Sequence, residues 1–288
     1  MFSSQKIVTT YASYYRRGSF RQLFVKDETN FLVLSSHRSG STWVIDVLNN
    51  LDRTSAFSEM FLPPAKRVRQ NRPFFQLQSQ TQTYLDESIR SYPAYHYVPD
   101  KKRRLRPFSV FSYLDKLYAQ HGSIGFKLMY GQLAAFPEIW PYVMARGISV
   151  AHLVRENTLD IIISHEFRKV TRIAHSIAGE RESLPPVQIE LDPDATIGRM
   201  RHLQRNVNWA RKLLDLTHVR HIEVKYEELK QNAANFLPLF EFLGRGDKDT
   251  VPTSNLVKLV KIDYPDLIRN YAELERRLDD TEFASLLG

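Results

Sequence analysis

Cysteine is absent from the 288 residues of this chain, which excludes disulfides, thiolate metal sites and a cysteine nucleophile. Glycine is sparse at 11 residues, and the 14 prolines are scattered rather than massed into a linker. No repeat or low-complexity tract breaks the chain. No apolar run reaches the ~18 residues that a membrane-spanning helix needs. The stretch from Met1 to Tyr15 is polar and aromatic, without the apolar core and small-residue cleavage site of a secretory leader. A soluble, cytoplasmic protein is the expectation. The nine histidines form no H-x-x-x-H or H-E-x-x-H pair, so no metal is expected.

What is present is a 43% hydrophobic content, enough for a large core at a length near the upper end of one α/β domain. Lys plus Arg outnumber Asp plus Glu by 40 to 32, so the field around the chain favours anions. A nucleotide, a nucleic acid and a membrane surface all satisfy that field. The expected organisation is a single domain over 1–288 with an insertion, read as a lid, at about 63–107, where the sequence is polar and punctuated by proline.

The first clear element is a strand at Asn30 to Ser35, whose Phe31-Leu32-Val33-Leu34 run is short, apolar and bounded by polar residues. After a polar loop, Trp43, Val44, Val47, Leu48 and Leu51 recur at helical spacing, with Ser41 or Thr42 as the expected N-cap. Beyond the insertion the pattern predicts strand Ser123 to Leu128, helix Leu133 to Ala145, strand Ile148 to Val154 and helix Thr158 to Ile173. A long helix from about Ala195 to Leu216, strand Val219 to Val224 and helix Glu227 to Leu243 follow. Strands separated by helices require crossover connections, so the expected fold is α/β: a P-loop-like, mostly parallel sheet flanked by helices. In such sheets ligands bind at the carboxyl ends of the strands.

The loop Ser36-His37-Arg38-Ser39-Gly40-Ser41-Thr42-Trp43 leaves a buried strand and opens a helix. Backbone N–H groups and the helix dipole converge there on a point that suits negative charge. Gly40 permits close backbone approach, while the Ser39, Ser41 and Thr42 hydroxyls and the Arg38 guanidinium add donors for a phosphate. An ordinary βα turn capped by Ser and Thr would read the same from this segment alone. An ATP or GTP loop of the form G-x-x-x-x-G-K-S/T is not present, because the loop has one glycine and no lysine at the required place.

Arg38-Ser39-Gly40-Ser41-Thr42-Trp43 resembles the 5′-phosphosulfate loop of sulfotransferases that use 3′-phosphoadenosine 5′-phosphosulfate (PAPS), with Arg38 where that family carries Lys or Arg before Ser-Gly. Val150-Ala151-His152-Leu153-Val154-Arg155, with Ser164 on the next helix, resembles the family's 3′-phosphate motif. Gly125-Phe126-Lys127-Leu128-Met129 is similar to the Gly-x-Lys strand of the bacterial carbohydrate-type members, notably the trehalose sulfotransferase group. Val224-Lys225-Tyr226-Glu227-Glu228-Leu229 is similar to a Tyr-Glu-Asp-Leu segment found after a late strand in many members. Lys258 to Leu274 looks like the C-terminal nucleotide-side segment of bacterial members.

The resemblance implies PAPS as co-substrate, no metal, and sulfuryl transfer to a hydroxyl of a carbohydrate or other small molecule. It implies that Arg38, Ser39, Gly40, Ser41, Thr42, Trp43, Arg155 and Ser164 bind the nucleotide and that Arg38 and Lys127 act on the transferring group. The Arg-Lys-Gly segment of the cytosolic eukaryotic members has no counterpart; Lys258 is expected in its place, with Lys261 as the alternative. Ser58-Glu59-Met60-Phe61 resembles the Glu-x-Phe segment of the trehalose-type enzymes, making Glu59 the expected general base, ahead of His96, His121 or His165.

Two rivals stand beside this reading. The basic run Lys101-Lys102-Arg103-Arg104-Leu105-Arg106 suits a nucleic-acid binder, although no recognised reading module accompanies it. A small-molecule kinase would need carboxylates for Mg²⁺, and the first loop has none.

Overall fold

The computed structural model describes residues 29–61, 95, 106–171, 176–177, 187–246, 252–254, 256–257 and 263–287. Phe31–Ser35 forms β1, buried along its whole length. Helix α1 (Ser41–Asn49) and strand β2 (Thr54–Glu59) follow, then α2 (Arg106–Tyr118) and β3 (Ser123–Met129). Helices α3 (Tyr130–Ala135) and α4 (Ile139–Arg146) lead to β4 (Ser149–Val154), α5 (Thr158–Thr171) and the short β5 (Ser176–Ile177). The chain continues through α6 (Pro193–Thr217), β6 (His221–Lys225), α7 (Tyr226–Gln231), a 3₁₀ turn at Ala233–Phe236 and α8 (Leu237–Phe242). Strand β7 (Leu256–Val257), which pairs antiparallel with β5, helix α9 (Tyr264–Leu267), helix α10 (Tyr271–Asp279) and a second 3₁₀ turn at Ala284–Leu286 come last.

The main sheet has five strands in the order β2-β3-β1-β4-β6, and every pairing is parallel. This is the expected α/β architecture, a parallel sheet flanked by helices. The apolar β1 run is explained by the two cores that the sheet separates, since successive side chains of a strand point to opposite faces. Phe31 and Val33 pack with Val44, Leu48, Phe236 and Phe240 on the α1 and α8 side. Leu32 and Leu34 pack with Val110, Leu114, Val143 and Leu214 on the side of α2, α4 and α6. A third cluster joins Leu159, Ile162 and Phe167 of α5 to Met200 of α6 and to Leu274 and Leu278 of α10.

Four expectations need correction. The predicted helix from Leu133 to Ala145 is two helices, because Pro137 supplies no amide to continue the first. The predicted helix from Glu227 to Leu243 is three short pieces, interrupted where the Asn232 side chain caps the 3₁₀ turn through Ala234 N and where Pro238 opens α8. The N-cap of α1 is Gly40, not Ser41 or Thr42. Strand β2 and helix α2 were not expected at all, and Arg106 and Pro107, the last residues of the expected insertion, are the first two of that helix. Apart from Tyr95, Arg106 and Pro107, the range 63–107 lies outside the described residues. Among the described residues no helix is long and apolar enough to cross a membrane.

Edge strand β2 is tied to α1 by one side chain. The buried Asn49 donates Nδ2–H to the Ala56 carbonyl at 2.9 Å and accepts the Ala56 N–H at 2.7 Å. Asn49→Ala leaves both backbone groups buried and unpaired, so it is expected to lower stability by about 1–3 kcal/mol, read as a lower urea midpoint at unchanged m value. An unmoved midpoint would mean that β2 does not depend on this amide.

Candidate functional site

The connection from β1 runs toward β2, and that from β4 runs toward β6, so the strand order reverses between β1 and β4. A crevice at the carboxyl ends of these two strands is the geometric consequence. The loop after β1 is built to line it. Arg38 has φ 63° and Gly40 has φ 84°, so the backbone curls twice through the left-handed region within three residues. For arginine that conformation costs about 1–2 kcal/mol, and such strain persists only where the surroundings hold it in place. The holding contacts are visible. Ser39, fully buried, donates its hydroxyl to the Ser36 carbonyl at 2.8 Å. Arg155 Nη1 donates to the Arg38 carbonyl at 3.1 Å.

Gly40 is required by space as well as by φ. A Cβ there would lie 2.3 Å from Cδ2 of the Tyr226 ring. Helix α1 starts with no side-chain cap and no acidic residue in its first turn, so the positive end of its dipole is left for another acceptor. Trp43 packs edge-on against Tyr226 and Phe236, at centroid distances of 5.8 and 5.2 Å, and so anchors the helix that carries the loop.

Four cations gather around the loop. Arg38 Nε and Nη2 both donate to Ser164 Oγ on α5, at 3.0 and 2.8 Å. Arg155, only 7% exposed, pairs with Asp160 and lies 4.6 Å above the Tyr226 ring, while its buried Nε has no partner among the described residues. Asp160 is itself held by the Tyr264 hydroxyl at 2.9 Å. Glu227 fixes the turn that follows Arg155 by accepting the N–H groups of Glu156 and Asn157, at 3.0 and 3.1 Å. Lys127, 5% exposed on β3, donates to Thr42 Oγ1 at 3.1 Å. Arg168 stands one helical turn beyond Ser164 on α5, exposed and without an ion pair among the described residues.

These charges act on one another. Burial, then the guanidinium charges of Arg168 and Arg155, bring the Arg38 pKa down to about 10. Burial likewise lowers that of Lys127, opposed by Glu59 and reinforced by Arg38 and Arg168. A strained loop, an open helix terminus and mutually repelling cations are the features that favour an anion with several acceptor oxygens.

Glu59 reaches this cluster through a backbone irregularity. Phe57 stands in register with Phe126, yet Glu59, two residues on, stands in register with Lys127, so Ser58 is the extra residue of a bulge. Without the bulge Ser58 would oppose Lys127 and Glu59 would fall on the other face of the sheet. With it, Glu59 Oε1 lies 3.5 Å from Lys127 Nζ, and Oε2 accepts from Gln132 Nε2 at 2.8 Å. A carboxylate is thereby held beside the cations at the carboxyl edge.

The structure therefore brings Arg38, Ser39, Gly40, Ser41, Thr42, Lys127, Glu59, Arg155 and Ser164 to one edge of the sheet. Lys258, Lys261, His96 and Lys101 to Leu105 lie outside the described residues. His121 sits in the turn before β3, at the amino end of the strand and so at the opposite edge from Glu59. His165 is exposed beside Glu166, 3.3 Å away. Sequence reasoning missed Gln132 and Arg168. Arg168 was reachable, since it follows Ser164 at i+4 on one helix face; nothing in the sequence pointed to Gln132.

Fold and site together define an α/β protein with a cation-ringed strand–loop–helix at the switch point of a parallel sheet. No protein-family model matches the chain, and no curated protein matches its sequence. Among solved structures it is similar to a sulfotransferase from Alicyclobacillus acidocaldarius, with 16% identity and a TM-score of 0.39 over 90% of this chain and 96% of that one.

Proposed function

We propose that this chain transfers the sulfuryl group of PAPS to a hydroxyl of a sugar or other small-molecule acceptor. The observation that carries the reading is the meeting of two features: a strained, cation-ringed loop at an uncapped helix terminus, and the Glu59 carboxylate held 3.5 Å from Lys127 beside it. The loop amides and Arg38 hold the 5′-phosphosulfate, with Ser41, Thr42 and Lys127 flanking the transferring group. Arg155, Ser164 and Lys258 serve the 3′-phosphate side, and Arg155 acts also through the Arg38 carbonyl it clamps.

Sulfuryl transfer needs alignment and charge neutralisation more than covalent help, as phosphoryl transfer does. Glu59 takes the acceptor's hydroxyl proton as the new S–O bond forms and the bond from sulfur to the phosphate oxygen breaks. Loop N–H groups and the surrounding cations offset the charge left on that phosphate oxygen.

Calorimetric titration with 3′-phosphoadenosine 5′-phosphate (PAP) tests the reading. Wild type is expected to bind in the micromolar range, and Arg155→Ala to weaken binding by about tenfold or more, which is about 1.4 kcal/mol. A folded wild-type protein that ignores PAP yet binds generic DNA with a steep salt dependence would replace this reading with nucleic-acid binding.

A further inference from the structure

Gln132 is buried, 4% exposed, in the first turn of α3, and both ends of its amide are committed. Oε1 accepts the Met129 N–H at 3.0 Å. Because a backbone N–H can only donate, the amide has one orientation, and Nε2 must face Glu59. There it donates to Oε2 at 2.8 Å. Lys127 Nζ attends the other oxygen at 3.5 Å, and Glu59 has no third partner among the described residues. A glutamate just after a bulge, on an edge strand, has three side-chain torsions to restrain, and Gln132 supplies its one short, directional contact.

We propose that Gln132 is the positioning residue for Glu59, aiming the carboxylate at the acceptor hydroxyl; the assignment rests on the sulfuryl-transfer reading above. It goes beyond helix capping, the structural role that the Met129 contact alone would give.

Gln132→Glu separates the two roles. The variant keeps an acceptor for the Met129 N–H and so keeps the cap, but it replaces the donor to Glu59 with a like charge. The readout is transfer of ³⁵S from PAPS to trehalose and to 2-naphthol, with PAP affinity measured by calorimetry. The expected result is kcat lowered by about tenfold or more from lost orientation, PAP affinity within about threefold, and no further loss when the change is made in a Glu59→Gln background. Gln132→Met, which loses both contacts, is expected to match it in turnover while also unfolding at a lower temperature. Full turnover in Gln132→Glu, or an equal loss with and without Glu59, overturns the positioning role while leaving the sulfuryl-transfer reading intact. Full turnover in Glu59→Gln overturns the positioning role, since there is then no base to aim, and leaves sulfuryl transfer standing; no transfer by the wild type to either acceptor overturns the reading and the assignment with it.

Discussion

Glu59→Gln is expected to lower sulfuryl transfer by about a hundredfold or more while PAP affinity stays within a few-fold. The substitution preserves side-chain volume and leaves the strand pairing at the bulge untouched, so the loop after β1 keeps its shape. What it removes is the one proton acceptor among the described residues that the structure holds against Lys127. Two smaller effects on the anion site oppose each other. Loss of a negative charge favours an incoming anion; but Glu59 is also the group that supports the protonated form of Lys127 against burial, so without it Lys127 gives up its proton more readily as pH rises. The check is kcat and PAP affinity measured separately on the same preparation. Unchanged turnover removes Glu59 from the role of base, and a collapse of affinity equal to that of turnover shows that it serves the anion site instead.

Gly40→Val is expected to weaken PAP binding by about a hundredfold, equivalent to about 2.7 kcal/mol. Part of the effect is local, because a β-branched residue resists φ 84°. The larger part spreads through Tyr226. A Cβ at 2.3 Å must displace that ring, and the ring is boxed by the Trp43 edge at 5.8 Å and the Arg155 guanidinium at 4.6 Å. Pushing it away disturbs the same Arg155 that binds the Arg38 carbonyl, so the strained loop loses its clamp. Adding Tyr226→Ala to Gly40→Val restores space but not backbone freedom, and should recover only part of the lost affinity. Calorimetry gives the affinities, and thermal unfolding shows whether the fold survives each change. Wild-type PAP affinity in Gly40→Val would mean that the loop after β1 is not where the nucleotide binds.

The parts of this molecule that could be read in advance are those whose cause is local. Phe31 to Leu34 is apolar because β1 is covered on both faces, and the polar, glycine-containing loop before a helical repeat marks a strand–loop–helix wherever it occurs. Strands β3, β4 and β6 and helices α5 and α6 announce themselves in the same way, so the parallel α/β plan and the Arg38, Lys127 and Arg155 positions were legible. Strand β2 was not, because Thr54–Glu59 offers only Ala56 and Phe57 as apolar residues and its pairing is set by β3 and by the Asn49 side chain. The breaks at Pro137 and Asn232 were present in the sequence as residue types but were overridden by a continuous apolar rhythm.

The sequence by itself determined the alternation of β1, β3, β4 and β6 with helices and the polar, cationic chemistry of the loop after β1, because each depends on neighbours along the chain. Only the tertiary structure decided that a bulge at Ser58 turns Glu59 toward Lys127, that Gln132 grips its other oxygen, and that Arg155 and Tyr226 hold the loop from behind. The physical reason is the parallel crossover. It carries the chain across the sheet between successive strands, so the groups that must touch lie far apart in sequence: 73 residues between Glu59 and Gln132, 117 between Arg38 and Arg155, and 126 between Arg38 and Ser164.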